Sequence, residues 1–174
     1  MTPVAKHEVA ELGTRKALVM DVGWHAVATT CGVYALLLDA SSRILTTQHV
    51  VFAGRPLSPD GALLLRIGGV NDAVRAQLQI HLADIDVEVA RIRVVLAVAE
   101  AHGLLADVTD VELSVWDPGS GESETSFAAE AGETDKCLVL GDLSRDADMW
   151  AFEASGDGFS GAISDLATRI GVAS

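Results

Sequence analysis

The chain has 174 residues, of which 49% are hydrophobic and 21% charged, and 25 acidic side chains against 12 basic ones give a formal net charge of −13. This excess of acid excludes a general nucleic-acid binder, because neutralising phosphates needs a basic face. The apolar content is far above that of a disordered chain, so we expect one folded domain over residues 1–174.

The first residues of the chain alternate between charged and apolar side chains and lack the continuous apolar stretch of a secretory signal. We expect residues 1–15 to be loosely ordered. The longest strictly apolar run, 94–99, is far shorter than the roughly 20 residues that a membrane-spanning helix needs. The sequence therefore predicts no transmembrane segment, and we expect a cytoplasmic protein.

Alternation of apolar and polar residues predicts half-buried antiparallel strands along most of the chain. The clearest case is 75–82, which places Ala76, Leu78, Ile80 and Leu82 on one face. The other predicted strands are 17–22, 33–38, 44–53, 62–67, 91–98, 110–116, 124–129, 136–140 and 149–154. About ten short strands separated by turn signals predict an all-β fold, a β-sandwich of two antiparallel sheets.

Two local patterns refine this prediction. Asp117-Pro118-Gly119-Ser120-Gly121 supplies the turn of a hairpin between its neighbouring strands. Near the end of the chain, apolar residues at helical spacing predict a short C-terminal helix with Ser160 as its N-cap and Gly171 at its end. The apolar positions of this helix are Ile163, Leu166, Ala167 and Ile170. For residues 84–90 the pattern fits one helical turn or a loop.

Several segments, taken in order, resemble the TerD-like family of bacterial tellurium-resistance and stress proteins. They are Val19-Met-Asp-Val-Gly-Trp24, Pro56-Leu-Ser-Pro-Asp-Gly61, Leu138-Val-Leu-Gly-Asp-Leu-Ser-Arg145 and Gly156-Asp-Gly-Phe-Ser-Gly161. The resemblance runs from about residue 17 to residue 172 and implies a calcium-binding β-sandwich. It also implies a non-enzymatic role through protein partners, which include other TerD-like proteins.

The calcium motifs of the family are the part that this chain matches least. The resemblance implies acidic loops at one end of the sandwich, but the matching positions hold Thr30, Gly32, His49 and Gly54. A shortened loop, 68–72, replaces the longest acidic one. The remaining candidate ligands are Asp60, Asn71 and Asp72. Because Ca²⁺ needs six to eight oxygens, the sequence predicts a calcium site that is largely lost and no bound cofactor.

A second hypothesis assigns the chain to a different class, a metal-ion or small-ligand sensor with a rebuilt loop site. Its candidate residues are His25, His49, Asn71 and Asp72, since both histidines match positions near the loops that hold calcium in the family. Imidazole suits transition metals better than calcium.

A third hypothesis, a hydrolase, rests on Gly158-Phe159-Ser160-Gly161-Ala162 between a strand and a helix. A nucleophile elbow needs glycine at the last of these positions and a histidine later in the chain, whereas Ala162 stands there and the last histidine is His102. The sequence therefore favours a protein that is not an enzyme.

Three further residue sets have structural interpretations. Cys31 and Cys137 lack metal-site or disulfide spacing, so we expect two buried thiols. The three tryptophans are expected to anchor the core, and a cluster of three aspartates is expected to form a solvated acidic loop. These residues are Trp24, Trp116 and Trp150, and Asp142, Asp146 and Asp148.

Overall fold

The computed structural model describes residues 2–26, 29–70, 73–99, 103–121 and 123–173. Its strands are β1 (Thr2–Pro3), β2 (Val9–Gly13), β3 (Leu18–Ala26), β4 (Cys31–Leu38), β5 (Val50–Val51), β6 (Leu63–Val70), β7 (Ala73–Ile80), β8 (Arg91–Val98), β9 (Val108–Trp116), β10 (Ser123–Ala129), β11 (Cys137–Asp146) and β12 (Met149–Phe159). Two single 3-10 turns lie at Leu82–Asp84 and Leu105–Asp107, and one α-helix, α1, spans Ile163–Ile170.

The strands form two six-stranded sheets. Sheet A has the order β1-β10-β9-β3-β7-β6, and sheet B has the order β2-β12-β11-β8-β4-β5. All neighbouring strands are antiparallel except β1 and β10, which pair in parallel. The predicted all-β sandwich with a short C-terminal helix is confirmed, as is the hairpin that joins β9 to β10.

The core lies between the inner faces of the two sheets, where period-two alternation delivers the apolar side chains. In β7, Ala76, Leu78 and Ile80 are at most 1% exposed, as the pattern predicts. Phe152 on β12 is the largest fully buried side chain. Burial of this continuous apolar layer is the main force that stabilises the sandwich.

A second apolar cluster lies on the outer face of sheet B, where α1 covers β4, β8 and β11. The apolar face of α1 packs there against sheet residues that include Leu36, Leu38 and Val95. The helix residues in this cluster are Ile163, Leu166, Ala167 and Ile170, as predicted. Where both faces of these strands are covered, their sequences are continuously apolar, as in 35–38, 94–98 and 137–140.

The ends of α1 match the prediction only in part. Gly171 has φ 83° and its N–H donates to the carbonyl of Ala167 at 2.9 Å, which confirms the predicted end. The predicted N-cap is wrong, because the cap is Ala162 and not Ser160. The Asp165 carboxylate accepts the Ala162 N–H at 3.1 Å, so the first turn of the helix satisfies its own end.

The predicted strand 44–53 is wrong over most of its length, since only Val50–Val51 pairs as a strand. Ile44 makes isolated bridges to Leu38 and Val172, and the N–H of His49 turns back onto the carbonyl of Thr46. The polar sequence between these residues favours a turn over a ladder.

The N-terminal segment contributes two edge strands. β1 pairs with β10 at the edge of sheet A, and β2 pairs with β12 at the edge of sheet B. The segment therefore crosses from one sheet to the other and covers an edge of each. These edge strands are held by backbone hydrogen bonds, and the pattern of side chains along a sequence does not reveal such bonds.

Three other expectations need correction. Asp142 lies within β11 and is 7% exposed, so it is not part of a solvated loop. Trp24 and Trp150 are buried core residues as predicted, whereas Trp116 lies half-buried with its indole facing outward. Cys137 is buried and Cys31 is half-buried, and both thiols are free.

In the part of the chain that the structure describes, no helix combines the length and apolar content needed to cross a bilayer.

Candidate functional site

The strands run between two ends of the sandwich. Among the described candidate residues, Asp60 and His49 lie at one end and His25 lies at the other. At one end, Leu63 and Leu18 both pair with Ile80, and we call this the Asp60 end. At the other, Val70 and His25 both pair with Ala73, and we call this the hairpin end. β6 joins the two ends with 8 residues, a span of roughly 23 Å.

Asp60 is part of the turn that leads into β6, and its carboxylate is occupied by internal donors. Oδ1 accepts the Ser58 hydroxyl at 2.5 Å and the Ala62 N–H at 3.0 Å. Oδ2 accepts the N–H of Asp86 at 2.9 Å, which ties the turn to the loop before β8. An ion could bind this carboxylate only by competing with those three hydrogen bonds.

The same contacts set the acidity of Asp60. Burial raises the pKa of this carboxyl, but the hydrogen bonds from Ser58, Asp86 and Ala62, with the charge of nearby His49, outweigh burial and leave the pKa below its ordinary value. Asp60 therefore stabilises the turn in its ionised form.

His49 lies at the Asp60 end, where it is 8% exposed. Its Nδ1 is 2.6 Å from the Thr46 hydroxyl, and its carbonyl accepts the N–H of Leu37. The ring is thus held within its own loop.

The loop after the 3-10 turn at Leu82–Asp84 is held by a residue that the sequence analysis missed. Arg145 on β11 donates from Nε to the carbonyl of Val89 at 3.1 Å, and its guanidinium stacks over Trp150 at 5.1 Å. With Asp60 holding Asp86, this explains why residues 84–90 keep a defined loop instead of a longer helix.

His25 lies at the hairpin end, exposed on the outer side of sheet A. Since His49 lies at the Asp60 end, one ion cannot contact both histidines of the proposed rebuilt site. Asn71 and Asp72 lie outside the described residues. Among the described residues, Asp60 precedes the end of β6 at which Leu63 pairs with Ile80, and Val70 pairs with Ala73 at the opposite end.

The side chains at the positions that match the family's calcium ligands do not fit calcium. Thr30 offers a hydroxyl, Gly32 has no side chain, and the His49 imidazole already contacts Thr46. Calcium prefers six to eight oxygens, several from carboxylates. Within the described ranges, no three His, Cys, Asp or Glu side chains come together in a group that could hold a metal ion.

A charged network on the outer face of sheet B joins β8 to β11. Arg93 donates to Asp142 through Nε at 2.9 Å and Nη2 at 3.0 Å, and Arg91 donates to the same carboxylate at 2.9 Å. The hydrogen bond that Arg93 donates to Asp142 raises the pKa of Arg93 above its ordinary value. The alternation of Arg91 and Arg93 with apolar residues was the only sequence signal for this network. A carboxylate held by two guanidinium groups locks the register of the two strands.

Ser160 is exposed in the turn between β12 and α1. A Cβ at Gly161 would lie 2.6 Å from the Phe159 ring, so the ring would have to move to accept a side chain there. The glycine-rich segment is thus explained by a close turn before the helix.

Comparison with known proteins places this geometry among related domains. The model of the TerD domain family matches residues 5–169. The fold is similar to the crystal structure of a homologue of telluride resistance protein (TerD), SCO6318 from Streptomyces coelicolor A3(2), with a TM-score of 0.69 and 17% identity over 91% of this chain and 99% of that one. The crystal structure of a protein of unknown function, SAV2460, is equally similar, with a TM-score of 0.69 and 17% identity over 91% of this chain and 98% of that one.

Proposed function

The chain belongs to the TerD domain family, and from that premise we propose that it is a non-enzymatic bacterial stress-response module of the tellurium-resistance type. It acts in the cytoplasm by associating with protein partners, other TerD-like proteins among them. Its calcium site is largely lost.

One observation supports the proposal that calcium binding is largely lost. The Asp60 carboxylate, which is the candidate ligand that the structure describes, is held by three internal donors. Those donors stabilise the ionised carboxylate, so calcium would have to displace their hydrogen bonds, and among the described residues no group of three His, Cys, Asp or Glu side chains is placed to hold the ion. Thr30 and Gly32 support the same conclusion, since neither residue has a carboxylate.

Calcium binding is tested by thermal unfolding of the full chain with 5 mM calcium or with a chelator. A dissociation constant near 1 mM gives RT ln 6, about 1 kcal/mol, whereas 1 μM gives about 5 kcal/mol. For a domain of this size, these values correspond to shifts of a few degrees and of ten or more. We expect the small shift, and the same shift with magnesium. A calcium-specific rise above about 8 °C contradicts the proposal.

Native mass spectrometry of the protein purified from its own cells distinguishes the sensor hypothesis from the proposed partner-binding module. We expect the mass of the bare chain or of a complex with another protein. A stoichiometric ion or small molecule that survives purification favours a sensor. Its loss in a His25→Ala variant but not in a His49→Ala variant would place it at the hairpin end.

Partner binding is tested by cross-linking the tagged chain in its native cells and measuring the masses of the linked peptides. We expect reproducible links between defined surfaces of this chain and one or a few proteins, including TerD-like ones. A chain that remains without specific links under stress and control conditions contradicts a role through partners.

A further inference from the structure

The outer face of sheet A contains an open groove of about 670 Å³ over β9, β3, β7 and β6. The strand register arranges its floor in rows that cross the sheet. One row runs Glu112, Gly23, Arg75 and Gly68, and the next runs Ser114, Asp21, Gln77 and Arg66. Side chains of one row therefore lie beside each other on the same face.

Two glycines create the depth of this groove. A Cβ at Gly68 would meet no atom within 4 Å, and a Cβ at Gly23 would meet only the carbonyl oxygen of Val74, at 3.9 Å. Neither position has a positive φ, so the backbone does not require glycine there. Glycine within a strand weakens the strand, and it often marks a place where a ligand approaches the backbone closely.

The groove is divided by charge. Glu112 and Asp21 lie on β9 and β3, and Arg75 and Arg66 lie on β7 and β6. Glu112 and Arg75 stand on either side of Gly23, two strand spacings or about 10 Å apart at their Cα atoms. In the described part of the chain, the ion pairs involve other residues and not these four.

Asp21 is held in a defined position by neutral donors. Its Oδ2 accepts the indole N–H of Trp116 at 2.7 Å, and its Oδ1 accepts the side-chain amide of Gln77 at 3.1 Å. Gln77 in turn accepts from Gln79 at 2.9 Å. This chain of hydrogen bonds crosses three strands and fixes a carboxylate in the floor of the groove without a basic partner.

We propose that this groove binds a small linear zwitterion, with its ammonium group beside Glu112 and Asp21 and its carboxylate beside Arg75 and Arg66. A guanidinium group recognises a carboxylate through two parallel hydrogen bonds, and a carboxylate accepts from an ammonium group. The apolar middle of the ligand lies over Gly23, where no side chain blocks it. The inference is independent of calcium binding and of protein partners.

The test uses 6-aminohexanoate as the probe, with hexanoate and hexylamine as controls that each lack one charge. Binding is followed in ¹H–¹⁵N spectra through the indole N–H of Trp116, which contacts Asp21 directly. We expect saturable shifts with the zwitterion at a concentration about 10-fold below that needed for either control, a difference of about 1.4 kcal/mol. Equal shifts with hexanoate would indicate a simple anion site, and no saturable shift at tens of millimolar would indicate no site. Either result overturns the proposal.

Three variants locate the binding. Gly23→Val fills the floor and should weaken zwitterion binding at least about 10-fold. Gly32→Val is its matched control on sheet B, since a Cβ there meets only the Tyr34 ring at an ordinary 3.7 Å. Glu112→Gln should lower the affinity for the zwitterion toward that for hexanoate, because Asp21 alone then remains beside the ammonium group. Arg75→Gln should lower it toward that for hexylamine, because Arg66 alone then remains beside the carboxylate. Unchanged binding in both charge variants overturns the proposal even if Gly23→Val fails to fold.

Discussion

The ring of Phe152 on β12 lies directly against the backbone of Gly141 on β11. A Cβ at position 141 would stand 2.5 Å from two ring atoms and 2.6 Å from the carbonyl oxygen of Glu153. The pairing of β11 with both of its neighbours shifts register just before Gly141. The close approach thus couples an irregularity of the sheet to the largest buried side chain of the core.

Gly141→Ala is expected to destabilise the domain by about 1–3 kcal/mol, because the added methyl forces the Phe152 ring or the strand to move in a close-packed core. Urea unfolding at constant pH measures the change. Gly68→Ala is the matched control, since a Cβ at position 68 meets no atom within 4 Å. Equal losses in the two variants would show that the contact with Phe152 is unimportant.

The sequence predicts the strands of the core well, because one buried face imposes strict alternation. β8 was predicted with the bounds that it has, and β7 within two residues. Prediction failed where order comes from the backbone or from distant partners. β2 is held by pairing with β12, and the buried position of Asp142 depends on two arginines some 50 residues earlier in the chain.

The candidate site shows the same limit. Asp60 is a candidate ligand because it lies near the shortened loop 68–72 in sequence, but its three donors include Asp86, 26 residues away in sequence. The groove on sheet A could not be predicted, since its rows bring together residues of four strands. Gly23 in β3 and Gly68 in β6 are local signals, but a glycine within a strand marks a bulge as readily as a place where a ligand approaches the backbone.

Asp142→Asn is expected to cost about 2–4 kcal/mol, because it keeps the shape of the side chain but removes the carboxylate that Arg91 and Arg93 share, and the charges of Asp157 and Glu153 compensate Arg93 only in part. Urea unfolding in low and high salt measures the loss in the free energy of unfolding and how far salt reduces it. Asp146→Asn, on the same strand but exposed, is the control and should stay within about 0.5 kcal/mol of the parent. A similarly small effect of Asp142→Asn would mean that the network adds nothing to stability.

The two thiols are expected to ionise far more weakly in the folded chain than in the unfolded one. Burial raises the pKa of Cys31 and of Cys137 from 9.0 to about 11. Because the folded pKa values lie above the unfolded ones, stability is complete below pH 9 and falls as the pH rises toward 11.

Thiolate absorbance near 240 nm, followed against pH in buffer and in urea, measures this difference. Cys31→Ser leaves one thiol and assigns the two titrations. Ionisation of both thiols near pH 9 in the folded protein would contradict the prediction.

Asp60 should make the domain sensitive to acid. The internal donors and His49 lower its folded pKa below the ordinary 3.8, so its contribution to stability is present above that value and is lost as the pH falls through the folded pKa. Asp60→Ala removes the acceptor of three hydrogen bonds and is expected to cost about 2 kcal/mol near pH 7. Urea unfolding from pH 7 down to pH 2 measures the difference in the free energy of unfolding between variant and parent. This difference should become smaller below about pH 4. Asp148→Ala, in the exposed turn after β11, controls for the loss of one negative charge. A gap for Asp60→Ala that stays constant over the whole range would show that the ionised carboxylate does not hold the turn.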